Sequence, residues 1–295
     1  MAIGLVSTND TSRREDLTDV IKNVDPSETP FLSDSGKSKA ANTIHQWLTD
    51  GYAASAVNAV IEGSDATVAD LTAPVRKTNV TQIFRKVITV SDTEQAINTA
   101  GTKDVKAYQV EKAMKEIAKD MERALIAGTT GSGNSGVAAY LSGAIAQITT
   151  NKTVRASGTS FSEIEFNDIL EDVWNDSAVI PDTIYSGMSI KRDIDKFTGG
   201  TTKFTDADAK KIINTISVYE SATARHMLKL DREVPAGANA KGILAAKSGL
   251  HNVAELRPVK LTPLAKTGSA DKSMLEGEAT LEILNEKAFG YRSGY

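Results

Sequence analysis

The chain has 295 residues, a formal net charge of -4, 40% hydrophobic residues, 5% aromatics and no cysteine. The length suits one large or two modest domains, and the acidic balance argues against a nucleic-acid surface coated in Lys and Arg or a polybasic membrane patch. Without Cys there is no disulfide framework, no thiolate zinc site and no cysteine nucleophile. No run approaches the roughly 18 to 20 apolar residues of a membrane helix. The opening MAIGLVSTNDTSRRED has no basic stretch before a long apolar core, so no secretory signal is read and a soluble chain made in a cytoplasm is expected. Few aromatics means little large side-chain area to bury, so contacts between subunits are expected to add to stability.

Residues 1–13 are polar and unpatterned and read as a mobile terminus. From Glu15, the residues Leu17, Val20, Ile21 and Val24 recur at helical spacing, and Asp25-Pro26 ends that helix. Pro30, Phe31 and Leu32 form a small apolar plug, and residues 33–42 read as a loop. Thr43 to Thr49 alternates, with Ile44, Gln46 and Leu48 on one side and Thr43, His45, Trp47 and Thr49 on the other, which predicts a strand with unlike faces. Residues 51–74 are rich in Ala, Gly, Asp and Thr and read as an exposed excursion. The β-branched run Val75 to Val90 predicts a returning strand, so that the whole makes a long projecting β-hairpin.

Lys103 to Ala127 carries the strongest helical pattern, a stripe of Val110, Met114, Ile117, Met121 and Leu125 that stops at Gly128. Glu111–Lys115 and Lys112–Glu116 are at favourable i,i+4 spacing, and the helix would be about 37 Å long. Gly128 to Gly136 reads as a loop, and Val137 to Thr149 is small and apolar. A further helix is predicted from Ser162 to Asn175, capped by Ser160 or Ser162, with Ile164, Ile169, Leu170, Val173 and Trp174 apolar. Beyond it the pattern predicts a strand over 182–188, a helix over 189–197, a loop over 199–205 and strands over 212–219 and 226–230. A small-residue stretch covers 236–246, and a closing strand is predicted over 278–284. There is no internal repeat, and the mixed order predicts an α+β fold rather than regular βαβ winding.

Candidate chemistry is thin. Gly131, Gly133 and Gly136 spell a formal G-x-G-x-x-G, but a dinucleotide turn precedes a helix, and these glycines follow one, where the carbonyl end of the dipole repels phosphate. No Lys followed by Ser or Thr stands in P-loop register. A nucleotide-handling enzyme using the Gly131–Gly136 loop is the weaker alternative to a linker loop. Glu163, Glu165, Asp168, Glu171, Asp172 and Asp176 lack a companion His and a D-x-D-x-D-G loop, so a solvated acidic helix face is expected rather than a metal site. The three histidines, His45, His226 and His251, lie far apart, and no G-x-S-x-G elbow accompanies them. Lys37, Lys39, Arg76, Lys77, Arg85 and Lys86 are not interleaved with stacking aromatics and read as rim charge or inter-subunit pairing. No catalytic residue, metal ligand or cofactor is expected.

Set in order, several motifs resemble the major capsid (major head) proteins of tailed bacteriophages, specifically the SU-ten-like family. They are REDLTDVIKNVDPSETPFL from Arg14, IHQWLTD from Ile44, AVIEG from Ala59 and RKTNVTQIFRKVITVSDT from Arg76, then YQVEKAMKEI from Tyr108, ELRPVKLTPLAKTG from Glu255 and EGEATLEILNEKAFG from Glu276. The resemblance spans most of the chain and is weakest over 135–255. It implies a Hong Kong 97-type capsid fold. In that scheme 1–42 is an N-terminal arm, 43–92 the extended loop, 93–134 the peripheral domain with its spine helix, 135–255 the axial domain and 256–295 the peripheral domain's C-terminal strand. It further implies pentamers and hexamers that close into an icosahedral shell around double-stranded DNA, held without sequence-specific contacts, after assembly in the bacterial host cytoplasm. Portal and scaffolding proteins, and in some members a decoration protein, would be partners; no scaffolding-length extension precedes the arm. An encapsulin-like nanocompartment shell is the alternative with the same fold. Inter-subunit contacts are expected at Leu17, Ile21, Pro30, Phe31, His45, Trp47, Arg76, Arg85 and Lys86, with Phe31 and Trp47 as anchors of the arm and the hairpin base.

Overall fold

The computed structural model describes residues 28–66, 71–97, 104–156, 160–197, 218–221, 224–235 and 241–295. The predicted helix over 15–24, the loop over 199–205 and residues 212–217 of a predicted strand lie outside them. Helices and strands alternate in mixed order, as the sequence predicts: α1 (Pro30–Asp34), β1 (Gly36–Lys39), β2 (Ile44–Thr49), β3 (Val75–Val80), β4 (Gln82–Ser91), α2 (Asp92–Ala96), α3 (Val105–Ala127), α4 (Ala144–Gln147), β5 (Lys152–Val154), α5 (Glu163–Ser177), β6 (Thr183–Ser186), α6 (Met188–Ile194), β7 (Val218–Glu220), β8 (Arg225–Leu230), β9 (Gly242–Ala246), β10 (His251–Pro263), β11 (Ala270–Ile283) and β12 (Gly290–Ser293). They form a four-stranded sheet in the order β1-β10-β11-β4, a six-stranded sheet in the order β5-β12-β9-β6-β8-β7, and the separate pair β2-β3.

Two cores follow from the period of two along a strand. In β6 and β9, Tyr185, Leu244 and Ala246 face a core shared with α3 and the four-stranded sheet, where Phe84, Ile88, Leu275 and Leu281 pack. Ile184, Ile243 and Ala245 face the second core, with Phe166, Ile169 and Leu170 of α5 and Ile190 and Ile194 of α6. The centre of the six-stranded sheet is therefore covered on both sides. This explains why Gly-Ile-Leu-Ala-Ala of β9, all buried, shows no alternation and gives no strand signal in the sequence.

The long helix α3 is about 35 Å of its own length and starts on an Asp104 side chain that accepts the Ala107 N–H at 3.0 Å. Its buried row is Ala113, Ile117, Met121 and Leu125, joined by Glu122 and Ile126. The row runs along i+4 steps, so Met114, expected in the stripe, turns outward and is half exposed. The Glu111–Lys115 pair forms at 2.8 Å. Gly128 ends the helix with an ordinary φ of -58°. It is glycine because its own last turn and the returning chain both close on it: a Cβ there would clash with the Ala124 carbonyl oxygen and meet the Leu141 carbonyl oxygen at 2.8 Å, and one on Gly143 would meet the Gly128 nitrogen at 2.6 Å.

The helix α5 begins on Ser162, whose hydroxyl accepts the Glu165 N–H, and buries Phe166, Ile169, Leu170 and Val173. Ile164 and Trp174, apolar members of the predicted helix, are exposed.

The remaining differences have tertiary causes. Residues 36–39, read as loop, form β1, a short strand parallel to β10; its polar sequence GKSK fits an edge. The expected hairpin strand over 75–90 breaks at Thr81. Its first half, β3, pairs with β2, and its second half, β4, pairs with β11. The hairpin therefore ends at Val80 and does not extend to residue 92. The closing strand starts at Ala270, ahead of Glu278, and has the unpredicted β10 as its antiparallel partner. Residues 290–293 do not return to the four-stranded sheet. They form β12 between β5 and β9, and Tyr295 lies in the second core. Conversely, Leu141, Ala144 and Ile148, expected with the axial stretch, pack into the α3 core.

Candidate functional site

The hairpin and the residues between its strands expose several large apolar side chains. Its strands pair from Ile44↔Val80 to Thr49↔Val75, which places Ile44, Gln46 and Leu48 with Arg76, Thr78 and Val80 on one face, and His45, Trp47 and Thr49 with Val75, Lys77 and Asn79 on the other. Ile44 and Leu48 are 50% and 66% exposed.

The opposite face is moored to the body by an unfinished sheet edge. β4 pairs with β11 only as far as Ala279, so β11 continues for four residues without a partner strand on that side. Backbone carbonyls at such an edge need donors when they are covered. The hairpin base and its neighbours supply them as side chains. Trp47 donates its indole N–H to the Ile283 oxygen at 2.9 Å. Asn79 donates to the Leu281 oxygen at 2.7 Å and the Ser142 oxygen at 3.0 Å, and accepts the Ser142 N–H at 2.8 Å. Gln147 donates a second bond to the Leu281 oxygen. Thr280 donates to the Val80 oxygen at 2.9 Å, and the buried Thr81 donates to Glu278 at 2.6 Å. Thr81 is the joint where the chain leaves one sheet for the other. His45 stacks on Trp47 and lies 3.7 Å from Glu282, whose carboxylate also accepts from Ser38 of β1.

The far end is the reverse. The described residues between β2 and β3 form no strand or helix, and Tyr52, Val57, Val60, Ile61 and Leu71 are each at least 80% exposed. Large apolar side chains that no described residue covers are the usual mark of a contact with another molecule.

The residues singled out from the sequence fare differently. Leu17 and Ile21 lie outside the described residues. Phe31 is fully buried in its own subunit, so it anchors from within and offers no surface to a neighbour; Trp47 and His45 face β11. Arg85 and Lys86 are engaged internally: Arg85 and Arg257 converge on Glu276, holding its carboxyl below the usual range, and Lys86 bonds Asp120 of α3 at 2.9 Å. Arg76 alone of these basic residues stands on the outer hairpin face beside Leu48. Pro30 opens α1 at its first turn.

Neither enzyme-like feature survives as one. Gly131 and Tyr140, and Asn134 and Val137, bridge one another, so the glycine motif is a tight hairpin that follows the carbonyl end of α3. Gly136 takes φ +101° at its turn. The acidic face of α5 is solvated at Glu171, Asp172 and Asp176 and partnered along part of its length. The buried Arg292 of β12 reaches Glu165, Asp168 and Asp172, and Arg155 bonds Glu165 at 2.7 Å. Sequence spacing does not reveal that partner, which lies more than a hundred residues away. Among the described residues no cluster of His, Asp and Glu has metal-binding geometry.

Comparison with known proteins agrees with this arrangement. A family model described as SU10 major capsid protein matches residues 4–294. The major capsid protein of Escherichia phage Phieco32 is 39% identical over 124 residues, which is 42% of this chain and 35% of that protein. The aligned stretch thus spans about a third of that relative. Among solved structures, the capsid of Myoviridae phage XM1 superposes with a TM-score of 0.66 at 11% identity over 100% of both chains. The SrpI encapsulin of Synechococcus elongatus superposes at 0.58 with 11% identity, over 93% of this chain and 91% of that one. At such identities the structures show the fold alone, and the fold is the Hong Kong 97-type one shared by phage capsids and encapsulins. The family match goes further: the chain belongs to the SU10 major capsid protein family, a family of structural capsid proteins and not of enzymes.

Proposed function

We propose that this chain is the building block of an icosahedral phage head, in which rings of five and six copies close into a shell around double-stranded DNA. Family membership supports the capsid role over a nanocompartment, whose fold is the same. The observation that carries the mechanism is the hairpin: fixed at its base to β11 and bare at its tip. A subunit built this way has apolar surface to cover and a rigid lever on which to present it, and head-to-tail contacts that close by rotation turn such levers into rings. The outer hairpin face with Ile44, Leu48 and Arg76, and the tip with Tyr52, Val57, Val60, Ile61 and Leu71, would lie on neighbouring subunits, together with Leu17 and Ile21 of the arm.

In this reading residues 1–35 act as the arm and 44–80 as the extended loop. The body around α3 with β1, β4, β10 and β11 is the peripheral domain, and the six-stranded sheet with α5 and α6 is the axial domain at the ring centre. The net charge of -4 suits an inner wall that does not grip the packaged DNA tightly. Portal, scaffolding and decoration proteins are the expected partners, and the host cytoplasm is the expected place of assembly.

The test is electron microscopy of the overexpressed full-length chain after size-exclusion chromatography, alone and with a co-expressed scaffold. Closed shells or five- and six-membered rings are expected. A strictly monomeric chain under both conditions would contradict the proposal.

A further inference from the structure

The charges of the hairpin are sorted along its length. Residues 50–74, between β2 and β3, carry Asp50, Glu62, Asp65 and Asp70 and no Lys or Arg. Residues 75–90, which supply β3 and most of β4, carry Arg76, Lys77, Arg85 and Lys86 and no Asp or Glu. Arg85 and Lys86 are engaged with Glu276 and Asp120 of their own subunit. Arg76, Lys77, Glu62 and Asp65 are exposed, and none of them makes an ion pair among the described residues. Two levers that are acidic at the tip and basic at the stem repel when they lie level. They attract when one is displaced so that its tip reaches the other's stem.

Shape points the same way. Where the chain passes from β3 to β4 there is an open groove of about 500 Å3, walled by Ile44 and Val80 of the hairpin base, Ile83 of β4 and Val137 of the tight hairpin after α3. Ile44 and Ile83 are each 50% exposed, and Val137 is 57% exposed. Ile44 pairs with Val80 and Leu48 with Arg76, so the same stem face continues to Leu48 and Arg76, about 14 Å further along the strands. The groove is an apolar seat with a free cation beyond it. The tip is an apolar knob with carboxylates beside it. The Ser64 N–H donates to the Ile61 oxygen at 3.0 Å and Gly63 takes φ +78°, which makes Ile61–Ser64 a type II turn with glycine where φ must be positive. That turn sets Glu62 directly after Val60 and Ile61, with Asp65 just behind. The subunit does not fill its own seat, since Val57, Val60 and Ile61 are all at least 80% exposed.

We propose that the tip of one copy, at Val57, Val60 and Ile61, seats in the groove between Ile44, Ile83 and Val137 of the next copy, with Glu62 and Asp65 reaching that copy's Arg76. The occupant is a second copy of this chain because knob and seat are complementary in charge and in apolar character and lie on one sequence. A knob on one surface and a seat on another make a head-to-tail contact, and repetition about an axis closes a ring. The inference rests on the capsid role proposed above and adds to it the surface that the tip takes.

The experiment uses the absence of cysteine from the chain. Two full-length double variants, Val60→Cys with Ile83→Cys and Ile61→Cys with Ile44→Cys, are assembled where the wild-type chain forms particles, oxidised, and run on non-reducing denaturing gels. A head-to-tail contact predicts a ladder that climbs past the dimer, whereas each single-cysteine variant stops at the dimer at most. In parallel, Arg76→Glu alone, and Glu62→Lys with Asp65→Lys, should each cut particle yield several-fold, and the three changes together should restore it. Particles in which neither cysteine pair gives a ladder would overturn the seat, as would a disulfide that closes within one chain and runs as a monomer. Reversed charges that leave the yield unchanged, or a combination that restores nothing, would overturn the pairing with Arg76. A wild-type chain that forms neither rings nor shells, with or without a scaffold, would count against the capsid role itself; particles without a ladder leave that role standing and remove the seat.

Discussion

At its base the hairpin lays Trp47, Asn79 and Thr81 on the backbone and carboxylates of β11, whereas at its tip Tyr52, Val57, Val60, Ile61 and Leu71 stand in open solvent. The arm root resembles the base, with Phe31 buried and its N–H held by Glu122. On the assembly role proposed above, the difference implies that folding and assembly use different residues of one projecting element. Polar side chains that complete a sheet edge fix where the lever stands, and apolar side chains without an internal partner give it something to grip. Substitutions at the two ends should therefore have opposite signatures: loss of subunit stability at the attachments, loss of shells at the tip.

The largest effect on the subunit should come from Phe31→Ala. It empties a site walled by His251 and Tyr185 and should cost about 3–5 kcal/mol, read as a lowered urea midpoint of dissociated subunits. A loss under about 1 kcal/mol would mean that the arm root is not part of the folded core, and the division between attachment and tip would fail there. Asn79→Ala should come next. It leaves the Leu281 and Ser142 carbonyls and the Ser142 N–H short of a partner, a loss of roughly 2–3 kcal/mol. Exchange at β10 and β11 beyond Ala279 should rise with it; unchanged exchange there would show that the edge does not depend on the hairpin.

Much of this was legible in the sequence where a single periodicity governs burial. The two long helices, with Ile117, Met121 and Leu125 in one and Ile169, Leu170 and Val173 in the other, announce themselves because one face meets a core. The strand Ile44–Thr49 does so because its faces differ. Where two faces are buried, as in β9, or where a short polar edge borrows its partner, as in β1, no such pattern exists. The break at Thr81 is invisible because the β-branched residues run on while the partner strand changes. Glu122 carries a signal: a carboxylate one residue after Met121 and three before Leu125 sits on the apolar face and needs donors. Which donors those are, 90 residues back in the chain, is set by the fold. The same holds for Arg292, whose carboxylate partners lie on α5.

The smallest expected effect on stability is also the most direct test of the separation. The combined variant Tyr52→Ser, Val57→Ser, Val60→Ser and Ile61→Ser should leave the urea midpoint of the dissociated subunit within about 0.5 kcal/mol of wild type, since surface positions away from packing and hydrogen bonds carry little stability. Electron microscopy of the same preparation, under conditions where the wild-type chain forms shells, should then show folded subunits or incomplete rings in place of closed particles. Normal closed shells from that variant would contradict the claim that the bare tip is what joins one subunit to the next.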